Sequence, residues 1–79
     1  MDNLEKFNNA FIEVFGVDII MLNDQFSKET ADNWDSVRQL SIVTALEEAF
    51  DIMMDPEDIL GFTSYAFGKT IMKKYNITL

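Results

Sequence analysis

Asp35-Ser36-Val37 stands immediately before a mixed apolar and acidic run that extends through Phe50. A serine beside an aspartate at the start of a helix can do one of three things. As a nucleophile, Ser36 needs a base. The chain has no His, so only a Lys, a carboxylate or a partner's residue could take the proton. As a simple capping hydroxyl, Ser36 competes with Asp35, which already fills the N-cap position well. As the attachment point of a phosphate-linked group, it lies where free N–H groups and the positive end of the helix dipole favour an anion. The nucleophile reading lacks its base and the capping reading duplicates Asp35; the third reading stands beside them.

The element that positions Ser36 is a helix over residues 36–50, capped by Asp35. At about 100° per residue, Ile42, Val43, Leu46, Ala49 and Phe50 fall on one side and face the core. Glu47, Glu48 and Asp51 occupy the other side, and Val37 and Leu40 project there too, near the Ser36 end. Two readings of those two residues stand. An apolar spot with an acidic rim suits protein docking. Equally, the pair could lie beneath a loop, against Trp34.

Ahead of that helix, Leu4, Phe7, Phe11, Val14 and Phe15 recur at helical spacing. They predict a first helix over about residues 3–15, with Asp2 or Asn3 as N-cap and Gly16 ending it. Residues 16–35 are too long for an ordinary helix connection. "VDIIML" and "FDIMM" could pair as short strands, but two isolated strands are marginal. A long loop pinned to the core by Val17, Ile20, Leu22, Phe26 and Trp34 is the better reading. Pro56 begins a short helix with Asp55 as N-cap and Gly61 at its end. Ser64 caps a last helix to about Tyr75, where Lys69, Lys73 and Lys74 suit the negative end of the dipole. The expected fold is all-α, one domain over residues 1–79: a small bundle of three main helices plus one short helix, with a long loop between the first two main helices.

Composition agrees with a folded domain, since 48% of the residues are hydrophobic and seven are Phe. A chain of 79 residues supports one small core. Fourteen Asp and Glu against six Lys and Arg give a net charge of -8, which repels nucleic acid and anionic membranes and favours basic partners. The absence of Cys and His removes disulfides, thiolate metal sites and imidazole ligands. No leader pattern or membrane-length apolar run is evident, so a cytoplasmic protein is the expectation. The acids at Asp51, Asp55, Glu57 and Asp58 invite a calcium reading. A calcium loop starting at Asp51 would have Met53 and Pro56 where an oxygen ligand and a Gly are needed, so the motif fails. Weak divalent binding is expected at most, through Glu47 with Asp51 and Asp55 with Asp58.

"WDSV" followed by "LSIVTALEEAFDI" resembles the acyl carrier protein family, whose motif is Asp-Ser-Leu at the start of a long helix and then an apolar and acidic run ending Glu-Glu-x-Phe-x-Ile. The order of helices and the chain length are similar to the family's as well. The resemblance implies that Ser36 receives a 4'-phosphopantetheine arm from coenzyme A. A separate phosphopantetheinyl transferase would attach it, with Asp35 helping to present a metal ion. The terminal thiol of the arm would hold acyl groups as thioesters, which explains how a chain without Cys could be a thiol carrier. By the same resemblance the chain catalyses nothing itself and binds no metal of its own. It acts as a monomer, and Val37, Arg38, Leu40, Glu47 and Glu48 meet the basic docking patches of acyl-loading and acyl-processing enzymes.

Arg38 and Ser41 depart from the pattern, because carriers of fatty-acid biosynthesis usually have acids at those places. A cation beside Ser36 weakens docking to a patch built for uniform acidity. The departure points to a dedicated carrier of a specialised pathway, such as polyketide, peptide, or modified sugar or lipid assembly. The alternatives are an aminoacyl or peptidyl carrier and an interaction module of the same fold whose Ser36 is never modified.

Overall fold

The computed structural model describes residues 2–79. Among these residues four α-helices form: α1 (Asn3–Phe15), α2 (Ser36–Phe50), α3 (Pro56–Gly61) and α4 (Tyr65–Lys74). The protein is all-α. No strand forms among the described residues, only an isolated antiparallel bridge between Ser27 and Ser64.

Each helix starts where capping chemistry places it. The side chains of Asp2, Asp35 and Ser64 accept hydrogen bonds from the backbone N–H groups of Glu5, Arg38 and Phe67, satisfying donors that a helix start leaves open. Asp55 holds the N-cap position of α3, but its side chain makes no capping hydrogen bond. Gly16 ends α1 with φ 63°, a left-handed conformation in which Gly carries no steric penalty.

The core is an aromatic cluster. Phe11 is fully buried and its ring lies 5.1 Å from Phe7 and 5.2 Å from Tyr65, centroid to centroid. The Trp34 ring lies 4.7 Å from that of Phe15, tilted by 37°. Phe62 closes the cluster against Gly68, where an added Cβ would come within 2.7 Å of the Phe62 ring. Ile42, Val43 and Leu46 of α2 and Ile71 and Met72 of α4 complete the interior.

A polar lock fastens α3 to the end of α4. Asp58 is buried, and its carboxylate accepts hydrogen bonds from Lys74 Nζ at 2.9 Å and from the Tyr75 hydroxyl at 2.7 Å. The same hydroxyl accepts the Asp55 N–H at 2.8 Å. These contacts, Lys74 foremost and then Tyr75, hold the Asp58 carboxyl below its ordinary range. The Asp55 with Asp58 pair expected for divalent ions is therefore not free.

The long connection is partly structured. Residues Ile19–Met21 form a 3-10 turn rather than a strand, and Phe26 and Trp34 pin the loop to the core as expected. Ile20 does not: it is 79% exposed, because the turn points it away from the rings that Phe26 and Trp34 reach. Ala49 also departs from expectation and lies at the surface. The α2 stripe that enters the core is narrower than its apolar residues suggest, and Phe50 is only half-buried.

Candidate functional site

Ser36 is the first residue of α2 and is exposed. Asp35 precedes it with extended backbone and uses Oδ1 to accept the Arg38 N–H at 2.8 Å. The Asp35 carbonyl takes the Gln39 N–H at 2.9 Å. These two bonds satisfy the third and fourth N–H groups of the helix, while those of Ser36 and Val37 stay open beside the Ser36 hydroxyl. Asp35 Oδ2 is likewise uncommitted. The arrangement is an exposed hydroxyl, two open N–H donors, the positive end of a helix of 15 residues and one available carboxylate oxygen. It suits a phosphodiester at the hydroxyl.

The helix start is held from two sides. Towards α1, the Arg38 guanidinium donates to the Val14 carbonyl and Asn33 Nδ2 donates to the Phe15 carbonyl at 3.0 Å. The last turn of α1 has no basic residue of its own, so Arg38 supplies the cation that its dipole favours. Towards α3, Gln39 Nε2 donates to the carbonyls of Ile59 at 2.8 Å and Leu60 at 3.2 Å. Gln39 is buried, and its Oε1 has no hydrogen-bond partner. Sequence reasoning missed both Asn33 and Gln39. Gln39 left a signal, since it falls on the core side of α2 among Ile42, Val43 and Leu46. Asn33 left none.

Val37 and Leu40 are 70% and 57% exposed. Trp34 lies in the aromatic core instead of covering them, so the contact beneath the loop does not form. With Ser41, Thr44, Ala45 and Glu48 they line a shallow groove along the outer side of α2. The predicted acidic residues separate by position. Glu48 is exposed on this face. Glu47 is half-buried, and its Oε2 accepts the Met54 N–H at 2.9 Å, so it stabilises the turn after α2. The structure thus brings Asp35, Ser36, Val37, Leu40 and Glu48 onto one surface, turns Arg38 towards α1 and turns Glu47 towards the α2–α3 connection.

Among the described residues, no group of three or more Asp or Glu side chains could hold a metal ion, and no helix is long and apolar enough to cross a membrane. The chain matches no family model, no curated protein and no solved structure.

Proposed function

We propose that the protein is a carrier whose Ser36 bears a 4'-phosphopantetheine arm and which presents acyl intermediates to partner enzymes. The observation that carries this reading is Ser36 itself: an exposed, unpartnered hydroxyl at the first position of α2, beside open N–H donors and the half-used carboxylate of Asp35. When bound, the arm supplies the thiol that the chain lacks and holds cargo as a thioester. The chain's residues have other work. Asp35 fixes the helix start through Oδ1, and its other oxygen would be available to the metal ion of the transfer reaction. The open N–H groups of Ser36 and Val37 would hold the phosphate of the arm. Val37 and Leu40 give an enzyme apolar surface to cover, and Glu48 attracts its basic rim.

The small bundle of three main helices and one short helix agrees with this reading, as does the net charge of -8. The site would be served in the cytoplasm by a phosphopantetheinyl transferase and by acyl-loading and acyl-processing enzymes. Arg38 supports a specialised pathway over general fatty-acid synthesis only weakly, because its guanidinium is engaged with the end of α1. Incubation with a fluorescent coenzyme A analogue and a broad-specificity phosphopantetheinyl transferase tests the proposal. Labelling of the parent chain and none of Ser36→Ala supports it. Equal behaviour of the two, whether both label or neither does, contradicts it.

A further inference from the structure

We infer that the Ile19–Met21 turn, with the hollow beside it, is a second lobe of the surface that the phosphopantetheinyl transferase covers while acting at Ser36. The inference rests on the carrier reading and extends its docking face. Ile19, Ile20 and Met21 are 57%, 79% and 52% exposed. They are not a loose tip. The Met21 N–H bonds to the Asp18 carbonyl at 2.9 Å, the Leu22 N–H to the Ile19 carbonyl at 3.0 Å, and Asp18 Oδ1 takes the Ile19 N–H at 2.9 Å. Three adjacent apolar side chains are therefore presented to solvent in a fixed geometry, which lowers the ordering cost of binding.

The turn is linked to the start of α2 through a shared hollow. Met21 lines a hollow of about 520 Å³ together with Phe15, Val17, Phe26, Ala31 and Asn33. Asn33 lies three residues before Ser36 and is tied to the Phe15 carbonyl, so hollow and helix start share a wall. Size argues the same way. A stable interface covers about 800 Å² on each partner, far more than Val37 and Leu40 alone provide.

Charge fixes the chemistry of the occupant. Asp18 caps the turn and Asp32 lines the hollow, both exposed, while Lys28 lies apart from them beside Thr63 and Ser64. The lobe sets an apolar centre beside two carboxylates, as the α2 face sets one beside Glu48. A second copy of this chain would bring like charge to it, whereas a basic enzyme surface is complementary.

The test is the steady-state kinetics of arm attachment by a broad-specificity phosphopantetheinyl transferase with coenzyme A, varying the carrier concentration. Ile20→Ser should raise KM for the chain about fivefold, the size of one interface contact, with kcat and the thermal midpoint unchanged. Ile20→Arg should raise it further by repelling a basic surface. Met53→Ser is the control, because Met53 is 84% exposed but follows the far end of α2, about 20 Å from Ser36. An unchanged KM for Ile20→Ser and Ile20→Arg overturns the second lobe and leaves the carrier reading standing. Failure of the parent chain to accept the arm overturns both.

Discussion

The guanidinium of Arg38 donates to the carbonyl of Val14, so the helix that begins at Ser36 places a cation on the closing turn of α1. The residue that breaks the acidic pattern of the α2 face thereby has a task within the fold. Arg38→Ala should lower stability by about 1 kcal/mol, the scale of an exposed dipole contact. Urea unfolding at low and high salt checks this. The loss should shrink as salt screens the charge. A variant as stable as the parent at low salt would show that the contact contributes nothing.

Asp35 and Ser36 are neighbours with separable roles. Asp35→Ala removes the Oδ1 cap and should cost about 1 kcal/mol, whereas Ser36→Ala removes a hydroxyl with no partner and should leave the unfolding midpoint in place. Equal destabilisation by both would mean that the serine carries the cap.

Core and docking face should respond differently to truncation. Phe11 is fully buried among the rings, and Phe11→Ala should cost about 3 to 5 kcal/mol. Leu40→Ala at an exposed position should stay within about 0.5 kcal/mol. Chemical denaturation measures both. A core-sized loss at Leu40 would remove it from the docking face.

The Asp58 lock predicts a dependence on pH. Contacts with Lys74 and Tyr75 hold the Asp58 carboxyl below its ordinary value of 3.8. A depressed carboxyl stabilises the fold above the unfolded value, and that stabilisation fades as pH falls through the folded one. The midpoint difference between the parent and Asp58→Asn should thus be full at neutral pH and shrink below pH 3.8. At the alkaline end the same contacts raise Tyr75 above 10.0 and Lys74 above 10.5. Their contribution is complete below those values and is lost as pH rises through the folded ones. A difference that stays constant from neutral to acidic pH would deny the lock its role.

The helices were legible because their caps and stripes are local. Asp35 before Ser36, Pro56 at the start of α3 and Gly16 after Phe15 each act within one turn of chain. What stayed hidden depends on distance. The engagement of Arg38 with Val14, of Gln39 with Ile59 and of Glu47 with Met54 requires knowing which helix end meets which side chain. Ile20 misled because an apolar residue in a loop reads as an anchor, although only its neighbours' geometry decides whether it reaches the core. Ala49 misled because a small side chain on the apolar side of a helix need not be covered.

Intact mass spectrometry after incubation with coenzyme A and a broad-specificity phosphopantetheinyl transferase tests the central claim most directly, with peptide mapping to locate any gain. The account predicts one added 4'-phosphopantetheine group on the parent chain, located at Ser36, and none on Ser36→Ala. A parent chain whose mass never changes with several transferases, or a gain at any other residue, would contradict it.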